Sequence, residues 1–395
     1  MNPIKKLFDN IHPYVEEGGK FHAFRSLVDG FETFAFVPNT TSRVGSVNIH
    51  DAIDSKRIMS FVVIALLPAL LFGMFNVGYQ NALACGGDMT DYVGMFLYGL
   101  LAVLPKIIVS YVVGLGIEFV VAQWKNEEIQ EGYLVSGIII PMIVPVTCPL
   151  WMLAVAVAFS VILAKEIFGG TGMNIFNPAL IARAFLFFSY PTAMTGDATV
   201  WVAQDTIFGL GYKAADAYTA ATPLGEAAVA GFQGFTPETI QDAVIGLVPG
   251  CIGETSVIAI ALGGLLLLYT GIASWKIMLS VFVGGAISAC ILDATLPVEN
   301  VYAHIPFYQH FVLGGFAFGA VFMATDPVTS CRTECGKYVY GLLIGFIAVL
   351  VRVLNPGYPE GMMLAILLLN LFASLIDYCF VQSNINMRAK RVSKK

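Results

Sequence analysis

Ten apolar runs dominate this sequence, at 57–79, 93–121, 132–148, 149–168, 177–190, 255–270, 273–296, 311–325, 337–353 and 360–380. None carries more than two charged residues. A helix of about 20 apolar residues crosses the hydrocarbon of a bilayer and satisfies its own backbone hydrogen bonds there. Composition agrees: 57% of the residues are hydrophobic and 12% charged, against roughly 45–50% and a quarter in soluble domains. A disordered chain, a nucleic-acid binder and an ordinary cytosolic enzyme are excluded. The expected fold class is an all-α polytopic membrane protein of about ten transmembrane helices.

The basic residues orient it. With the N-terminus inside, seven Lys and Arg fall in the N-terminal segment, five in inner connections and five in the tail, 17 of the 21. Outer segments hold only Lys213 and Arg352. Cytoplasmic segments carry such an excess, so both termini are expected inside. No cleavable signal precedes the first run, so 1–56 reads as a retained cytoplasmic extension. The division expected is 1–56, a first membrane half 57–190, an outer loop 191–254, a second half 255–380 and a basic tail 381–395. The outer loop is acidic and rich in Gly, Ala and Thr, which suits a folded, functional connection.

Several runs are short or broken. Pro141, Pro145 and Pro149 crowd the third and fourth, and the fifth reads as a half-helix. Gly137–Pro149 and Gly315–Pro327 share a Gly/Pro pattern, and each is followed by an apolar span and then a Gly/Asn/Pro-rich break. The first copy starts inside and the second outside. This is the pattern of two inverted-topology repeats with broken half-helices near the midplane.

Few residue patterns carry chemistry. The five histidines, His12, His22, His50, His304 and His310, do not pair within spans as haem ligands do. Electron handling would therefore need a flavin, an imported cluster or a quinone. Cys331 and Cys335 are the only close cysteine pair, with no further ligands in their loop for a metal. Asp216-Ala-Tyr-Thr-Ala-Ala-Thr222-Pro223-Leu224 is similar to the signature at which transferases esterify FMN onto a threonine hydroxyl. The acceptor must be Ser or Thr, and small neighbours let the phosphate approach the backbone. The same string also suits a turn before a helix, with Thr222 as N-cap and Pro223 in the first position.

Longer strings carry a broader resemblance: FGGTGMNIFNPALIARAFLFFSYP, LVPGCIGETS, LGGFAFGAVFMATDPV, RVLNPGYPEGMMLAILLLNLFASLID and DSKRIM. Over nearly the whole chain they resemble the B subunit of the sodium-translocating NADH:quinone oxidoreductases. The D subunit of the Rnf complex is similar in the core but lacks the long N-terminal extension. The resemblance implies covalent FMN on Thr222, although Thr219-Ala220 replaces the usual Ser-Gly and Ala217 the usual Gly. It implies riboflavin against Asn174, Asn177 and Phe185, where amides can meet the flavin edge and a ring its face; on their own residues, the two asparagines equally read as caps of the broken helix. It implies a quinone region at Glu131, Gly132 and Tyr133.

Sodium-pathway candidates are Asp377, Asp197 and Glu131, with Glu118 and Asp326 as further acids at membrane depth, where an unpaired carboxylate is costly. Implied partners are an FMN-carrying subunit outside, an NADH-oxidising flavoprotein subunit inside, a flavin transferase and membrane lipid. The implied setting is the bacterial inner membrane. The expected activity is electron transfer from FMN through riboflavin to quinone, coupled to sodium export. An Rnf-type subunit is the first rival. The second is a small-solute channel or transporter, which predicts no bound flavin.

Overall fold

A computed structural model of the chain describes residues 55–125, 132–194, 198–213, 221–230, 237–297, 300–355 and 360–393, with isolated positions between 8 and 36. The described residues form helices and no β-strand. Besides a short helix at Ala198–Trp201, the helices are α1 (Ser55–Cys85), α2 (Tyr92–Lys125), α3 (Tyr133–Met142), α4 (Leu150–Ser160), α5 (Pro178–Ser189), α6 (Pro223–Ala230) and α7 (Pro237–Ile245). There follow α8 (Val257–Tyr269), α9 (Trp275–Thr295), α10 (Phe307–Val312), α11 (Phe316–Phe318), α12 (Glu334–Leu354) and α13 (Met362–Ser393). Among the described residues, six stretches are long and apolar enough to cross a membrane: α1, α2, α4 continued to Phe168, α9, α12 and α13. Three shorter apolar helices are α3, α5 and α8.

Local chemistry sets the breaks. The third apolar run stops being helical after Met142, where Pro145 and Pro149 remove backbone donors. Residues 143–149 continue as irregular backbone, buried except at Thr147 and Pro149. The run at 311–325 divides at Leu313–Gly315, where Gly314 takes φ +64°, a left-handed turn that favours glycine. Asn177, Ser256 and Thr333 begin α5, α8 and α12, each accepting a backbone N–H on its side-chain oxygen. Two π turns, Val161–Lys165 after α4 and Gly319–Met323 after α11, interrupt the α-helical ladder. Such bulges concentrate at functional sites.

Small residues let the helices close on one another. α9 packs along α12, and α1 along α2. A methyl on Gly345 would collide with the carbonyl oxygen of Val281, and one on Gly284 with that of Leu342. In lipid, such close approach supplies the dispersion contacts that burial from water supplies elsewhere.

The structure adds detail to two of the expected segments. In the basic tail, α13 continues through Arg388, Lys390 and Arg391. Its 32 residues extend about 48 Å at 1.5 Å each, well beyond about 30 Å of hydrocarbon. Within 191–254, the described parts are folded and carry α6 and α7.

Candidate functional site

Thr222 sits at the N-terminus of α6 on the wall of a cavity of about 320 Å³. It is 8% exposed. Its Oγ1 accepts from the Gly225 nitrogen at 3.2 Å, and its carbonyl accepts from Glu226 at 2.8 Å. Pro223 opens the helix without forfeiting a hydrogen bond. Thr222 is therefore an N-cap whose hydroxyl also borders open space. Trp201, Phe187, Met194 and Leu313 give the cavity apolar walls.

Its polar side is built from distant parts of the chain. Arg183, from the middle of α5, is 3% exposed. It donates to Glu254 Oε1 at 2.7 Å, to Cys251 Sγ at 3.4 Å and to the carboxylate of Glu360. Burial pushes the Cys251 thiol well above its usual range despite the neighbouring guanidinium, so it stays neutral. A second buried arginine, Arg352, donates to the carbonyls of His310 at 2.7 Å and Leu313 at 3.0 Å, fastening the break between α10 and α11. Thr255 lines the cavity, and its buried hydroxyl has no hydrogen-bond partner among the described residues.

A smaller cavity of about 70 Å³ lies at the opposite end of α5. Gly132, Lys165, Thr171, Asn174, Asn177 and Asp326 border it. Asn177 Oδ1 caps α5 through the Ala179 nitrogen at 3.0 Å, and Asn174 donates to the Phe176 carbonyl at 3.0 Å. Lys165, on the first π turn, forms a buried ion pair with Glu118 of α2. Asp326 accepts from the Val328 nitrogen at 3.2 Å and the Thr329 hydroxyl at 2.9 Å.

The structure thus brings Asn174, Asn177 and Gly132 to one cavity. Phe185 is not in its lining: it stacks on Phe159 at 4.5 Å, two turns further along α5. Tyr133 is fully buried, hydrogen-bonded to Ser110 at 3.0 Å and edge-on to Tyr111. Asp377 accepts from the backbone of Arg332 at 2.8 Å and of Thr333 at 3.0 Å. Glu131 and Asp197 lie outside the described residues, as does the Asp216–Ala220 part of the threonine string. The sequence reading gave Arg183, Glu254 and Glu360 no role. An arginine inside the apolar run of α5 was the available signal.

The two cavities fit flavins differently. Ligand cavities usually hold about 300–1,000 Å³, so the larger one has room for a flavin ring. Its mixed wall, cation and unpartnered hydroxyl suit a polar aromatic ligand. The smaller one offers amide partners but not the volume of a flavin ring.

Residues 43–386 match the family model described as NQR2, RnfD, RnfE. The chain belongs to this family. Its relatives include a protein of Chromohalobacter salexigens, 42% identical over 98% of this chain and 96% of its own length. Relatives from Pseudoalteromonas atlantica and Klebsiella pneumoniae subsp. pneumoniae are each 40% identical over 98% of this chain and 99% of theirs. All three are named as the B subunit of Na(+)-translocating NADH-quinone reductase.

Proposed function

We propose that this chain is the B subunit of a sodium-translocating NADH:quinone reductase and carries a covalent FMN on Thr222. The observation that carries the reading is the Thr222 hydroxyl, an N-cap oxygen on the wall of the 320 Å³ cavity. A phosphoester there would lie at a helix N-terminus, where free N–H groups and the helix dipole favour an anion. Apolar walls limit water around the ring, and Arg183 supplies a cation on the polar side. FMN supplies the electron-carrying chemistry when bound. Thr222 positions it, and the Trp201 and Phe187 side chains bound its space.

The remaining parts follow from the family names and the sequence reading. Ten crossings in two inverted repeats, both termini inside and the FMN outside, accord with the Lys/Arg distribution. They also accord with two short helices that precede irregular backbone: α3 directly, and α11 through the π turn Gly319–Met323. Electrons come from an FMN-carrying partner subunit, and NADH is oxidised on another subunit. Quinone is reduced near Glu131, Gly132 and Tyr133 at the inner end. Sodium leaves by a route for which Asp377, Asp197 and Glu131 are candidates. Riboflavin at Asn174, Asn177 and Phe185 has amide partners but no cavity of its size among the described residues. The relatives' names favour quinone reduction over the Rnf reaction.

Ultraviolet imaging of a denaturing gel tests the tether. The wild-type band fluoresces, Thr222→Ser keeps the signal, and Thr222→Val loses it. A fluorescent Thr222→Val band, or a dark wild-type band in flavin-replete cells, rejects the assignment. A dark wild-type band would favour a transporter instead.

A further inference from the structure

The cavity beneath Thr222 holds more charge than tethering a phosphate requires. Arg183 and Glu254 are 3% and 7% exposed, and the Glu360 side chain is 13% exposed. They come from α5, from the segment before α8 and from the break before α13. Buried ion pairs are weak sources of stability, because desolvation offsets their attraction. This one also opens onto the cavity instead of closing within packed side chains. Beside it, Thr255 is 5% exposed, and its buried hydroxyl is unpartnered among the described residues. A buried hydroxyl without a partner is costly unless a ligand completes it. The Arg183, Glu254 and Glu360 side chains are therefore the polar side that a ligand in the cavity would meet.

We infer that the Arg183–Glu254–Glu360 cluster sets the reduction potential of the flavin tethered at Thr222, with Arg183 as the cation that offsets each arriving electron. The inference rests on the reading of Thr222 as the FMN acceptor. An electron delivered by the donor subunit adds one negative charge to the ring until it passes to the next acceptor. A fixed charge in a poorly hydrated cavity acts on that ring far more strongly than it would in water. Protein charges beside the ring are among the means by which a fold tunes a flavin. Glu254 and Glu360 hold the guanidinium in place and oppose its field. Arg183 is a positioning and tuning residue, whereas Thr222 makes the covalent bond.

The test is a redox titration of the covalent flavin in the purified complex, followed by absorbance, with dithionite as reductant and soluble mediators. Arg183→Gln removes the cation and should lower the potential. Glu254→Gln and Glu360→Gln each remove an opposing charge and should raise it. The expected size is at least a tenfold change in the ratio of reduced to oxidised flavin at fixed potential, about 59 mV for a one-electron couple. Arg183→Lys keeps the charge and should recover most of the wild-type value.

Unchanged potentials, or shifts of the same sign in arginine and glutamate variants, overturn the inference. If Arg183→Gln does not assemble, the two glutamate variants decide, because each neutralises a charge without leaving a carboxylate unpaired. Gel fluorescence of the same samples separates the two readings. A dark wild-type band removes the Thr222 assignment and the inference with it. Fluorescent bands with unmoved potentials remove the inference alone.

Discussion

Asp377 and Thr333 are joined twice: the Asp377 carboxylate accepts the Thr333 backbone N–H at 3.0 Å and its hydroxyl at 2.5 Å. The bonds fasten α13 to the first turn of α12, where Thr333 in turn caps Gly336 at 3.2 Å. An acid in an apolar run thus has a structural task at a helix N-terminus, where negative charge is favoured.

Asp377→Asn keeps the shape and removes the charge. Charge-assisted hydrogen bonds contribute about 1.5–3 kcal/mol, so the variant should melt measurably below wild type. If Asp377 lies on the proposed sodium route, Asp377→Asn should also raise the sodium concentration needed for half-maximal quinone reduction. Activity titrated against sodium at matched flavin content checks this. An unchanged curve with a lowered melting point would leave Asp377 as a fastener alone.

Asn177 caps α5 through its side chain. Asn177→Ala should cost about 1 kcal/mol, the usual loss for a missing N-cap, and Asn177→Ser should recover it. Thermal melts of the detergent-solubilised complex give the comparison. A serine variant that keeps its stability but loses non-covalent flavin would give Asn177 a ligand contact of its own.

His304 bonds Asp293 at 2.8 Å and the Pro297 carbonyl at 3.3 Å. The Asp293 hydrogen bond, the larger cause, and the Pro297 carbonyl raise its pKa above 6.5. The protonated form is therefore favoured in the folded protein. Its stabilisation is complete below the unfolded value and lost as pH rises through the raised folded value. The melting temperature should fall over this window in wild type, and the fall should be smaller in His304→Gln. Equal pH profiles for the two proteins would show that the pair does not contribute.

Gly345 meets the carbonyl oxygen of Val281 where α12 crosses α9. Gly345→Ala should destabilise the complex by about 1–3 kcal/mol through overpacking. Gly116, with no described neighbour near its missing side chain, is the control. Denaturation of both alanine variants checks the contrast, and equal losses would refute the packing argument.

Orientation has a direct assay. Lys213 is largely exposed and Lys390 lies on the exposed end of α13. In a cysteine-free background, an impermeant thiol reagent on intact cells should label Lys213→Cys and spare Lys390→Cys. The reverse pattern would invert the topology and put Thr222 on the inner side.

The sequence alone determined what depends on neighbours along the chain. Apolar length marked the membrane helices, prolines marked where α3 fails, and Thr222-Pro223 marked the start of α6. Each follows from backbone chemistry within a few residues. The cap at Asn177 is equally local. Only the tertiary structure decided which side chains meet. Arg183 finds Glu254 across 71 positions and Glu360 across 177. Phe185 stacks on Phe159 and stays clear of the Asn174 cavity, and Asp377 reaches Thr333. Apolar pattern could not foretell these meetings. A soluble helix shows its inward face by contrast with a polar one. A membrane helix is apolar toward both lipid and core, so its sequence does not state which way a side chain points.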